Sequence, residues 1–127
     1  MAASRDTTAK NIKPLEGSIR QKVQLGATTA AGEIITLQSD EKWDPTNTTA
    51  AQLTVAVAIK AGGDGDWVDA VVFGPVKNLL GATIGGLIYA SDTAGELSES
   101  AGTKDLVVGY AKSATVLFVQ PQIIDFT

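Results

Sequence analysis

The residues in this chain with the clearest capacity for chemistry are carboxylates. Asp64, Asp66 and Asp69 fall within six positions, on and just after the glycine-rich run Gly62-Gly63-Asp64-Gly65-Asp66. Calcium is held by oxygen-rich loops, and two carboxyls about 5–10 Å apart are what glycoside hydrolysis uses. The spacing fits neither use closely. An EF-hand loop counted from Asp64 wants Gly at its sixth position and Glu at its twelfth, where Asp69 and Pro75 stand. The repeated calcium nonapeptide GGxGxDxUx matches at Gly62, Gly63 and Gly65, but Trp67 occupies its Asp position and the motif occurs once, whereas such motifs come in arrays. A solvated hairpin tip is the expectation here, with no metal and no cofactor.

Other catalytic chemistries have less to work with. The sequence contains no histidine and no cysteine, so the commonest general base, the commonest transition-metal ligand and every thiolate are missing. Ser91, Ser98, Ser100 and Ser113 therefore have no imidazole to activate them. A Ser–Lys arrangement with Lys104 or Lys112 fits the composition, but no residue pattern supports it. Asp92-Thr93-Ala94-Gly95 resembles the Asp-Thr-Gly of aspartic proteases with one alanine too many, and it has no second copy to share a proton with. Gly81-Ala82-Thr83-Ile84-Gly85-Gly86 lacks the Lys-Ser/Thr of a phosphate-binding loop. Trp43 and Trp67 suit a core or an interface better than a ligand platform, being far apart in the chain. No enzyme activity is expected.

The elements that would carry these residues are short strands. At 127 residues the chain has the length of one domain. It is 44% hydrophobic and 19% charged, with 13 glycines, which suits turn-rich β structure. Runs at Val23–Leu25, Glu33–Leu37, Trp67–Phe73, Leu87–Ala90, Leu106–Lys112 and Thr115–Val119 read as strands, separated by turn signals. In the run Leu53–Lys60, residues Leu53, Val55, Val57 and Ile59 alternate with Thr54, Ala56, Ala58 and Lys60, which predicts a half-buried strand. This run and Trp67–Phe73 are expected to form a hairpin around the glycine-rich loop. Ser39–Thr49 reads as a polar loop and Asn78–Gly86 as a short helical turn, while Gly74-Pro75 and Pro121 are expected to end strands. The fold class is therefore all-β, a small barrel or sandwich. The apolar stretches are too short, or too interrupted by Lys60 and Lys112, for a spanning helix, and the N-terminal residues lack a secretory apolar run, so no membrane association is expected.

Charge divides the chain unevenly. Residues 1–22 carry a net charge of +3 and residues 23–127 a net charge of −7, giving the overall −4. This predicts an extended N-terminal arm over 1–22 and a single β domain over 23–127. The arm has too few large apolar residues for a core of its own. Arg5, Lys10, Ile12, Lys13, Leu15, Ile19 and Arg20 are its candidate docking residues. An acidic β body argues against nucleic acid as partner.

Two segments of the second half then carry a resemblance: Gly85-Gly86-Leu87-Ile88-Tyr89-Ala90-Ser91-Asp92-Thr93-Ala94-Gly95-Glu96-Leu97, and Val108-Gly109-Tyr110-Ala111-Lys112-Ser113-Ala114-Thr115-Val116-Leu117-Phe118-Val119. Together with Val55-Ala56-Val57-Ala58 and Val72-Phe73-Gly74-Pro75-Val76, they resemble the capsid decoration, or cement, proteins of tailed bacteriophages over about residues 23–121. The resemblance implies a β-tulip-like domain, non-enzymatic and trimeric, made in the host cytoplasm. It further implies attachment to the major capsid protein at three-fold or quasi-three-fold sites on the outside of the virion head, stabilising the shell against internal DNA pressure. The arm of this chain is longer than in many such proteins. Two other readings remain open from the residues: a carbohydrate- or receptor-binding module of a phage tail or fibre, and an enzyme pairing Asp64 with Asp69.

Overall fold

β-Branched and alanine-rich runs dictate the architecture. The computed structural model describes residues 4–46, 55–100, 102 and 105–125. Among these residues lie twelve strands and a single 3-10 turn, Ala9–Asn11. The strands are β1 (Ser4–Arg5), β2 (Lys13–Pro14), β3 (Ile19–Gln24), β4 (Ile34–Leu37), β5 (Trp43–Pro45), β6 (Val55–Ala58), β7 (Trp67–Lys77), β8 (Leu79–Leu80), β9 (Leu87–Ala90), β10 (Leu97–Ser98), β11 (Asp105–Ala111) and β12 (Val116–Asp125). All the ladders between them are antiparallel. The main sheet runs β10-β9-β11-β12-β7-β6-β4-β5 and curls into a half-barrel. The all-β expectation holds.

β7 is the strand on which the others converge. Near its C-terminal end Lys77–Gly74 pairs with Val116–Val119 of β12, and nearer its start Val71 and Ala70 pair with Val57 and Ala58 of β6. The chain from Lys13 to Gln24 runs antiparallel along nearly the whole of it, from Lys13 opposite Lys77 to Gln24 opposite Trp67. β7 continues through Gly74-Pro75, where the sequence predicts a break. Gly74 adopts φ +102°, and a Cβ there would sit 2.9 Å from the Ser18 Cα, so only glycine lets the turn between β2 and β3 approach this closely. Pro75 has no N–H to give, but its carbonyl accepts from Leu15 N at 3.1 Å.

Two apolar clusters fill the two sides of the β4-β6-β7 region. Ile34, Val57, Val71, Val76, Leu117 and Val108 belong to the first, inside the curl. Val23, Leu25, Ile35, Trp43, Ala56 and Ala70 belong to the second. This corrects the half-buried reading of the 53–60 run. Val55, Ala56, Val57 and Ala58 are all buried, because the alanines on the supposed outer face are covered by the second cluster. Leu53 and Thr54 lie outside the described residues. The expected polar loop contains β5, which pairs with β4 and buries Trp43. Instead of a helical turn, 78–86 holds β8 and a turn fixed by Gly85 N to Ala111 O (2.7 Å). β12 also runs past Pro121.

Gly109 marks a bulge in β11, between its pairings with β9 and β12. A Cβ on Gly109 would collide with the backbone carbonyl of Phe118, an atom that no side-chain rotation can move aside. Gly109→Ala is therefore expected to destabilise the fold by about 1–3 kcal/mol in urea denaturation. Gly63→Ala, where the nearest atom is 4.0 Å away, is expected to change stability by no more than about 0.5 kcal/mol.

Candidate functional site

The N-terminal segment is extended, and it is packed onto the body. β1 pairs with β8. Arg5 is buried and places Nε 3.0 Å and Nη2 2.9 Å from Glu96 Oε2, while Nη1 donates to the Ala31 carbonyl at 3.2 Å. Asp6 follows it, accepting from Thr8 N (2.9 Å) and Asn11 Nδ2 (3.1 Å), and its own N–H donates to the Asn78 carbonyl. The buried Asn78 donates to the Gly32 carbonyl at 3.2 Å. Ile12 is buried against Gly32, which has φ +88° and no room for a side chain. The division at residue 22 falls inside β3.

This placement sorts the seven candidate arm residues. Arg5 and Ile12 are buried within the chain, Arg5 by its ion pair to Glu96 and Ile12 against Gly32. Lys10, Lys13, Ile19 and Arg20 are exposed, and Leu15 is half-buried. An exposed cation near the N-terminus could be expected from composition, but the buried arginine has no sequence signal, because its partner lies 91 residues away.

Ile19 leads to the most distinctive surface of the molecule. It is 57% exposed and lies opposite Phe73 of β7, itself 41% exposed. Phe73 meets Phe118 of β12 edge-on, with centroids 5.3 Å apart, and Phe118 stacks on Tyr110 of β11 at 5.2 Å. Tyr110 in turn pairs across to Leu87 of β9, 45% exposed. Leu117 and Val119, the neighbours of Phe118, point into the first cluster, so Phe118 stands on the outer face. An apolar row thus crosses five strands outside the curl, where a solvated sheet would carry polar side chains. The alternation of β12 points to an outward Phe118, but the sequence does not show which strands would line up beside it.

Asp64, Asp66 and Asp69 each have a partner of their own. Asp64 pairs with Lys42 Nζ at 3.2 Å, Asp69 with Lys22 at 3.5 Å, and Asp66 Oδ2 accepts from Gly63 N at 2.8 Å. The glycine-rich loop is stitched to the strand end beside it by Leu25 N to Asp66 O (2.8 Å) and Gly65 N to Leu25 O (2.7 Å). Among the described residues no group of three metal-ligating side chains occurs. Asp44 Oδ1 is buried without a hydrogen-bond partner among the described residues. Burial first, then the neighbouring Asp40 and Asp64, raise its pKa above the ordinary 3.8, against the opposing pull of Lys42. No described helix is long and apolar enough to cross a membrane.

Compared with known proteins, the chain matches no family model and no curated protein sequence.

Two outcomes follow from this geometry. Arg5→Ala strands the buried Ala31 carbonyl and leaves Glu96 unpaired, and is expected to cost about 1–3 kcal/mol in urea denaturation. A carboxylate whose pKa is higher folded than unfolded weakens the fold as pH rises past both values. Asp44→Asn should therefore raise the melting temperature at pH 7, and the gain should vanish at about pH 3, where Asp44 is protonated in both states.

Proposed function

We propose that this chain is a structural protein that docks through a sheet face, and that its place is the outside of a phage head, as a homotrimer at three-fold or quasi-three-fold sites of the major capsid protein. The observation that carries the docking role is the row in which exposed Ile19, Phe73 and Leu87 flank the half-buried rings of Phe118 and Tyr110. Contiguous apolar surface costs solubility and marks interaction sites, whose centres are enriched in aromatics. The row lies on paired strands, which hold it in one shape and keep the ordering cost of association low. The capsid as partner is supported by the resemblance of the 85–97 and 108–119 segments. A protein that binds only the assembled shell stabilises that shell by linkage.

One observation favours the tail or fibre reading: Trp67 is 62% exposed and sits directly after Asp64 and Asp66. Trp43, the other ring that reading relies on, is buried in the second cluster, which leaves Trp67 as the exposed one of the two tryptophans.

Heads lacking the protein, incubated with the purified chain, are expected to acquire it in multiples of three and to rupture at a higher temperature than bare heads. Ile19→Asp combined with Leu87→Asp, both at exposed positions, should weaken attachment about tenfold or more while leaving the chain folded. Unchanged head stability with wild-type protein would count against cementing, and glycan binding without head binding would favour the tail module.

A further inference from the structure

Beside the apolar row lies a second row of a different character. Lys77 stands directly opposite Lys13 on β2 and, across its other ladder, opposite Val116 on β12. Lys112, at the turn joining β11 to β12, donates its amide to the Val116 carbonyl at 2.8 Å. Three lysines are thus brought to one end of the sheet, two of them as a cross-strand pair. Directly opposed like charges destabilise a strand pair. Among the described residues none of the three forms an ion pair, although acids outnumber basic residues in the chain, 14 to 10. Val116 and Phe118 are two apart on β12 and share a face, so the lysine row and the aromatic row are neighbouring strips of one outer surface.

We infer that this two-strip surface takes an anionic protein segment: a stretch of partner chain that sets aspartate or glutamate over Lys13, Lys77 and Lys112, and apolar side chains over Phe118, Tyr110 and Leu87. The inference rests on the reading of the chain as a docking protein and specifies the chemistry of its partner. Charge complementarity carries it. Lys13 and Lys77 stand opposite each other in register, and an anion seated over them offsets the repulsion that such a like-charge pair carries. The association is therefore salt-dependent, in contrast with docking on the apolar row alone.

Lys77→Glu separates this role from a structural one. It pairs with Lys13 in place of repelling it, and is expected to raise the melting temperature by about 1–5 °C while weakening an anionic partner roughly three- to tenfold. The probe is a synthetic peptide alternating glutamate with leucine and phenylalanine, titrated into isotope-labelled full-length chain and followed by amide chemical shifts. The expected result is perturbation at Lys13, Lys77, Tyr110 and Phe118 that fades with salt, is weakened in Lys77→Glu, and is absent with a lysine-for-glutamate peptide. Equal response to both peptides, or none on this face, overturns the inference. A sedimentation mass above one chain that Lys77→Glu reduces would name a second copy as the occupant and overturn assignment to a different chain. Bare heads supply the separate check. If wild-type protein does not bind them, the capsid reading fails while the peptide result still decides the chemistry of the face. If it binds them with the same affinity as Lys77→Glu at all salt concentrations, the capsid reading stands and the inference falls.

Discussion

The hydrogen bonds made along β7 are the interaction on which the rest of the structure depends. Its eleven residues are matched near one end by β12, nearer the other by β6, and along most of their length by residues 13–24. Both apolar clusters contain β7 side chains, Val71 and Val76 in one and Val68 and Ala70 in the other. A strand paired on both sides gives its backbone groups to neighbouring strands in place of solvent. Gly74 follows from that crowding, where the Gly17-Ser18 backbone presses on β7, and Gly109 from the same pressure of β12 on β11.

The same crowding gives the charge division of the sequence a different meaning. The +3 of residues 1–22 does not sit on a free tail, because Arg5 is consumed by Glu96 and the Ala31 carbonyl. Lys22 leans toward Asp69. The cations left over, Lys13 among them, are held in register with residues of the body such as Lys77 and form part of its outer surface. The arm supplies a strip of a composite face whose remaining strips come from β7, β9, β11 and β12.

Much of the fold is legible in the sequence and much of the surface is not. Runs rich in β-branched and other large apolar residues locate β4, β9, β11 and most of β7, because each lies between turn residues. The errors share a physical cause. Gly74-Pro75 and Pro121 break strands by local rules, and here tertiary pairing carries the strands through them. Ala56 and Ala58 look polar-side by alternation because alanine suits either environment, and only the second cluster decides. Trp43 sits among Asp, Lys and Pro, so the pattern gives no sign of β5. The docking face depends on register: Phe118 meets Tyr110 and Phe73 through the β11–β12 and β12–β7 ladders, and no local motif encodes those alignments.

The position of β7 also shapes how the chain reaches this state. Apart from the hairpin with β6, its partners come from the two flanks of the sequence, Lys13–Gln24 before it and Val116–Val119 well after it, and these ladders close loops of some 40 residues or more on either side. Such distant pairings form late and slowly, because the entropy of loop closure is lost before the contacts repay it. Until β12 arrives, β7 presents an open row of amides and carbonyls beside Val76 and Phe73, a template for the wrong chain as much as for the right one. The lysines at 77 and 13 lie at the end of that open stretch, and charge on an unpaired strand is one of the means by which sheets resist pairing with strangers.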